Sequence, residues 1–154
     1  RSSATDKYYK RIEKEEIRSV FKRDCDFVYV IAAKESVQYQ MLEAILDQVI
    51  LDFVDTYGKD ACHAFQDGMN GLFSGYVFKI PEIIEDVEKN RVKWVRSHCR
   101  LCNTSHRVCV KKSLIENADN FPVSLVYFHQ GHGVLLHIDA NFKVRGTELV
   151  NISA

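Results

Sequence analysis

The sequence predicts an α/β (α+β) fold in two parts, a partial sheet with two helices followed by a small β-rich module stabilised by zinc. Three observations carry this expectation. Two short apolar runs near the N-terminus lead into a long stretch with helical periodicity. After Trp94 the texture changes to short runs separated by turns. A Cys99-Arg100-Leu101-Cys102 turn is followed downstream by His129-Gln130-Gly131-His132, the outline of a metal site. The expected boundaries are an N-terminal segment at 1–15, an α/β domain at 16–95 and a zinc-knuckle module at 96–154.

Ile17-Arg18-Ser19-Val20-Phe21 reads as a short strand, and Asp24-Cys25-Asp26 as a tight polar turn into Phe27-Val28-Tyr29-Val30-Ile31-Ala32-Ala33. The second run is apolar on both faces, which predicts a strand in the middle of a covered sheet. The strongest helix follows. Ser36 is its expected N-cap, Leu42, Ile45, Leu46, Val49, Ile50, Phe53 and Tyr57 form its apolar stripe, and Glu43, Asp47, Asp52 and Asp55 are expected away from that stripe. Gly58 is placed to end it. A turn-rich stretch, Gln66-Asp67-Gly68-Met69-Asn70-Gly71, leads to a second helix with Pro81 at its start and Glu82, Glu85 and Asp86 in its early turns. Those carboxylates complement the helix dipole and need no catalytic role. Beyond Trp94, strands are expected at residues 107–111, 124–129, 134–139 and 143–150.

At 154 residues, with 46% apolar and 27% charged side chains, the chain can bury a real core. Its longest apolar run, residues 27–33, is too short to cross a bilayer. The first residue is Arg1 rather than Met, so an upstream segment is expected. Charge is uneven beneath a net of zero: residues 1–24 hold 8 basic and 5 acidic groups, residues 25–90 hold 4 and 12, and residues 91–154 hold 9 and 4. Five cysteines cannot all pair, and three lie between 99 and 109, which suits a reducing cytoplasm and metal binding better than disulfides.

A C-x2-C turn reverses the chain so that two sulfurs converge, supplying half of the tetrahedron that Zn²⁺ prefers. Asn103 follows the second cysteine, where a knuckle needs a positive φ that Asn tolerates, and Gly131 gives similar freedom between the histidines. The expected ligands of a structural Zn²⁺ are Cys99, Cys102, His129 and His132, with His98, His106 and Cys109 as rivals in the same region. A unit of fewer than 60 residues often needs such a staple. Redox catalysis by Cys99 and Cys102 fits less well, because thioredoxin-like pairs sit between a strand and a helix. Glu116, Asp119 and Asp139 have no spacing that sets a general base against the metal, so no catalytic residue is assigned. Cys25, Cys62 and His63 are too isolated to interpret, and His137 reads as an ordinary strand residue. Arg96, Arg100, Arg107, Lys111 and Lys112, with Trp94 and His106 nearby, could form a nucleic-acid-binding side, although a solvated face is the simpler account. Neither G-x-x-x-x-G-K nor G-x-G-x-x-G occurs, so no nucleotide-hydrolase motif is present.

The order of strand, apolar strand and long amphipathic helix ending Phe53-Val54-Asp55-Thr56-Tyr57-Gly58, then a Pro-started acidic helix, resembles the second half of a longin-type domain. This is the SNARE-like fold of longin SNAREs, the small chains of clathrin adaptors and related archaeal proteins. Val20-Phe21-Lys22-Arg23 before Phe27-Val28-Tyr29-Val30-Ile31 is similar to the adaptor small chains. A complete longin domain opens with a further hairpin and helix, for which residues 1–15 are too short. The resemblance therefore implies that strands covering the edge at residues 17–21 come from upstream, from a second copy or from a partner, and that the working state is an oligomer or complex.

The closing phrase, from His132 through Ile138-Asp139-Ala140-Asn141-Phe142-Lys143-Val144-Arg145-Gly146, resembles small archaeal zinc-knuckle β modules. That resemblance implies that His132 belongs with the knuckle; a Cys that relatives can carry just before it is missing. Together the two resemblances imply an archaeal longin-like, non-enzymatic scaffold in a vesicle-trafficking-like system. It would bind or regulate a small GTPase, or a longin or roadblock partner, in the cytoplasm, with any membrane reached through that partner. The second reading is a zinc-ribbon nucleic-acid-binding protein.

Overall fold

The structure, a computed structural model, describes residues 9–24, 27–58, 71 and 73–150. Cys25, Cys62, His63 and the expected turn at 66–70 lie outside them. The described chain is α+β, with antiparallel sheets throughout. It divides between Asn90 and Arg91 into two compact units, whereas the sequence reading placed the change at 95/96.

The first unit is built on β1 (Lys10–Lys14), β2 (Ile17–Asp24) and β3 (Phe27–Lys34), in the order β1-β2-β3. β2 and β3 pair from Ile17↔Lys34 to Asp24↔Phe27, the expected hairpin. β1 occupies the other edge of β2, from Lys10↔Phe21 to Lys14↔Ile17, so the edge expected to lie open at residues 17–21 is closed by the chain's own N-terminal part. The apolar strand β3 is consequently an edge strand, not a central one. Only its alternate residues Tyr29, Ile31 and Ala33 join the core, while Val28 and Val30 are exposed. An all-apolar strand suits a sheet covered on both faces, but one helix layer covers only one face here.

That layer is α1 (Tyr39–Tyr57), whose Leu42, Leu46 and Ile50 pack on Val20. Gln38 in extended conformation is the N-cap rather than Ser36. Gly58, at φ 68°, closes the helix by donating its N–H to the Val54 carbonyl, as the sequence predicts. The acidic residues of α1 do not all turn to solvent. Glu43 is buried and pairs with Arg11 at 2.7 Å, and Asp47 takes Lys22 at 2.9 Å together with the Tyr9 hydroxyl. These cations stand on the sheet face that meets the helix, so part of the acidic surplus of the middle segment neutralises the basic surplus of the first. Arg11 and Arg18 also lie 5.0 Å from the Tyr39 ring. At the helix C-terminus Phe53 and Tyr57 pack edge-on and tilted against Phe73 and Tyr76, and Tyr76 donates to Asp52 at 2.9 Å. This seats a 3-10 turn (Ser74–Lys79) and then α2 (Ile80–Asp86), with Pro81 in its first turn as expected.

The second unit holds two sheets, β4 (Val92–Cys99) with β5 (Thr104–Lys111), and β6 (Val123–His129) with β7 (His132–Ile138) and β8 (Val144–Val150). A short α3 (Lys112–Glu116) follows β5. The period-2 alternation sends Val95 and Cys99 of β4, Val108 and Val110 of β5, Leu125 and Tyr127 of β6, and Val134, Leu136 and Ile138 of β7 into one core, with Ile115 of α3. Gln130 and Gly131, both at positive φ, turn β6 into β7. Asp139 organises the next turn: its carboxylate accepts the N–H groups of Asn141 at 2.8 Å and Lys143 at 2.9 Å, and Arg145 at 2.6 Å.

The Lys143 amide is the largest cause holding the Asp139 carboxyl below its usual range, with Arg145 and Asn141 adding to it against partial desolvation. A carboxylate depressed in the folded state stabilises above its unfolded pKa of about 3.9 and loses that contribution as pH falls through the lower folded value. Asp139→Ala should therefore lower the thermal midpoint at neutral pH, and the gap from the parent should close as acid protonates the group. Equal midpoints at neutral pH would contradict this role.

Candidate metal centre

Two hairpin turns meet at one end of the second unit's core. Cys99 is the last paired residue of β4, opposite Thr104, and the intervening turn carries Cys102. Asn103 adopts φ 54°, the left-handed geometry predicted for it, and Gly131 lies at φ 75°. In the other hairpin His129 and His132 are directly opposite across the turn, so both project from the same face as Tyr127 and Val134. His106 pairs with Ser97 in register and follows the inward rhythm of Val108 and Val110. The apolar rungs of the core thus end in a layer of sulfur and imidazole.

The ligand atoms of Cys99, Cys102 and His129 all lie within 4.8 Å of one another. Cys102 Sγ is 2.9 Å from His129 Nε2 and 3.6 Å from His106 Nε2, and Cys99 Sγ is 3.9 Å from His132 Nδ1. Tetrahedral Zn–S and Zn–N bonds put neighbouring donors roughly 3.3–3.8 Å apart. The spacing is of that order, and two thiols with an imidazole suit a borderline-soft cation. Cys99, Cys102 and His129 could therefore hold a metal ion. His132 stands against one sulfur and His106 against the other, and their imidazoles fill out the surroundings; the His106 and His129 rings are 3.8 Å apart between centroids.

The electrostatics favour ligation at Cys102. Its thiol is pulled down to about 5, first by the Thr104 hydroxyl at 2.9 Å, then by His106, with His129 and Cys99 helping against desolvation. Thr104 also lies 2.7 Å from His106 Nε2, so one hydroxyl touches both a sulfur and an imidazole. Nothing in the sequence distinguishes this threonine, because its role comes from facing the turn it follows. Cys109, a rival ligand by sequence, is excluded on both counts: it lies opposite Trp94 away from the cluster, and burial pushes its thiol up to about 12. His98 bonds Asn103 at 3.2 Å on the outer side of β4 and does not join the cluster either. His137 sits between Ser124 and Glu148 on the outer face of its sheet, an ordinary cross-strand polar contact. Beneath the cluster the buried Tyr127 phenol is raised, first by desolvation, against a lowering contribution from the Ser97 hydroxyl, with the nearby cysteine sulfurs adding to the rise.

No family model matches the chain, nor does any curated protein or solved structure.

Cys99→Ser should abolish stoichiometric metal binding and destabilise residues 91–150 by well over the ~0.5 kcal/mol typical of surface changes. Thr104→Val should retain the metal but weaken it by about 10–100-fold, the usual cost of losing a group that orients a ligand. Cys109→Ser should leave metal affinity unchanged. Chelator competition monitored by a chromogenic indicator, with thermal unfolding alongside, reads all three; a Cys99→Ser protein with parental metal content would remove the site.

Proposed function

We propose that the chain is a non-enzymatic interaction protein in which a structural Zn²⁺, held by Cys99, Cys102, His129 and His132, staples the β unit and the α/β unit supplies a docking surface. The observation that carries this is the donor set. Two sulfurs and one imidazole converge, and further imidazoles stand close to both sulfurs. With His132, 3.9 Å from the Cys99 sulfur, as the fourth donor the N/S shell would be closed and leave no coordination position for a substrate water, which is how a structural zinc differs from a catalytic one.

The docking surface proposed is the sheet face turned away from α1. Ile12, Ile17, Val28 and Val30 are exposed there, in a field that also holds Lys10, Lys14, Arg23 and Lys34 and no carboxylate. Antiparallel sheets that face water usually present polar residues outward, so an apolar field with a cationic margin suits a protein partner. The longin-type resemblance makes that partner a small GTPase or a longin or roadblock protein, with self-association as the other route to covering the face. Among the described residues no helix is long and apolar enough to cross a membrane. A cytoplasmic protein that reaches a membrane through its partner is the setting that fits this reading.

Replacing Val28 and Val30 by Glu should leave the fold and metal content intact and reduce partner affinity by at least tenfold. The measurement is light scattering of the free chain together with capture from the parent lysate and identification by mass spectrometry. A small GTPase or a longin or roadblock protein retained by the parent and lost by the variant supports the reading. Capture unaffected by the two substitutions would rule this face out.

A further inference from the structure

The two edges of the first unit's sheet are built differently. β1 reads Lys-Arg-Ile-Glu-Lys, and charged side chains at all its positions but Ile12 keep further strands away from that edge. β3 carries no such guard. It holds neither proline nor glycine, its register with β2 runs without a bulge, and its one charge, Lys34, comes at the last position.

The backbone of β3 shows which residues face the free side. Glu35 donates its N–H to the Glu16 carbonyl at 2.8 Å, in line with the register that sets Ile17 opposite Lys34. Hydrogen-bonded and non-hydrogen-bonded pairs alternate along an antiparallel ladder, so the odd-numbered residues of β3 bond to β2. The N–H and C=O groups of Val28, Val30 and Ala32 therefore point away from it. All three residues are exposed, and among the described residues β2 is the only strand paired with β3. The Lys34 carbonyl is already used, since it accepts the Val37 N–H at 2.9 Å.

A second β3 fits this edge. Residues directly opposite in an antiparallel pair share a face, so a two-fold axis must pass through a residue and not between two. Centred on Val30, the axis sets Val30 against its own copy and Val28 against Ala32, and every outward N–H of the three meets an outward carbonyl. An axis through Ile31 would direct Val28 to the Lys34 carbonyl, which Val37 holds. Side chains agree with the first choice: Phe27 falls opposite Ala33 and Tyr29 opposite Ile31, so the bulky half of the strand meets the small half. The two Lys34 side chains end roughly 27 Å apart, and no like charges face each other. Each α1 packs on Val20 of β2, and the two β2 strands lie roughly 14 Å apart, which clears the 8–10 Å or so that packed helices need.

We propose that two copies of the chain join through β3 about a two-fold axis at Val30, giving one continuous sheet with a charged β1 at each end. This concerns the edge of the sheet and does not rest on the partner proposed for its face.

The test uses the whole, metal-loaded chain. Light scattering over a dilution series should show a dimer, and hydrogen exchange should find the Val28, Val30 and Ala32 amides protected. Val30→Lys and Val30→Asp each place like charges face to face across the axis, and each should weaken the dimer about fivefold or more and release those amides. Val30 is 53% exposed, so both substitutions leave the core intact. An equimolar mixture of the two variants should re-form the dimer, with opposite charges now paired. A monomeric parent, a dimer indifferent to both substitutions, a mixture that stays apart, or a co-purifying peptide on the edge in place of the second copy overturns the proposal. If either variant loses its fold, exchange in the parent decides: protection of the three amides that fades on dilution supports the dimer, and exchange independent of concentration overturns it.

Discussion

The second unit depends on the meeting of two hairpin ends at Cys99, Cys102 and His129. Its core is a double layer of Val, Leu and Ile with one tyrosine, drawn from two short sheets of two and three strands. The layer closest to the turns cannot be completed by apolar side chains, because the turns themselves occupy it. Sulfur and imidazole complete it instead, and a metal held there would convert a polar, crowded end into a cross-link between sheets that are not paired with each other among the described residues. Structural zinc in small metal-folded peptides contributes on the order of 10–16 kcal/mol. That exceeds the whole stability expected of so small a core. The fully buried Cys99 and the lowered Cys102 thiol are the two halves of one arrangement, since one fixes position and the other supplies the charge that a cation needs.

The first unit solves a different problem, that of holding a single helix to a three-stranded sheet. Its buried apolar contact runs through Val20, Leu42, Leu46 and Ile50, with Tyr29, Ile31 and Ala33 packed beside it, and the sheet also offers cations to carboxylates of the helix. Glu43 with Arg11 fastens β1, the most polar strand, to the layer above it. On the opposite sheet face Val28 and Val30 remain exposed.

The parts of the fold legible in the sequence were those set by local geometry. The C-x2-C turn, the left-handed Asn103, Gly131 between the histidines, Gly58 at the helix end and Pro81 at a helix start each follow from what one or two residues can do with their backbone. Elements whose pattern depends on distant partners were not legible. β1 reads Lys-Arg-Ile-Glu-Lys and shows no apolar alternation, because its inward positions are satisfied by Glu43 and Tyr39 of α1. β4 was not legible as a strand, since its inward rhythm of Val95, Ser97 and Cys99 is interrupted by a polar residue. In the candidate site the convergence of the two cysteines with His129 was readable from spacing, whereas Thr104 and the approach of His106 required the register of β5. Cys109 was a false rival for the converse reason, as proximity in sequence placed it on the wrong face of a strand.

The central claim is that one metal with sulfur and nitrogen donors joins the two hairpins. X-ray absorption at the zinc edge, on protein purified without chelator and with metal content measured on the same sample, tests it most directly. The account predicts one zinc per chain, with two sulfurs at about 2.3 Å and two nitrogens at about 2.0–2.1 Å. A substoichiometric metal, or a first shell dominated by oxygen, would contradict it.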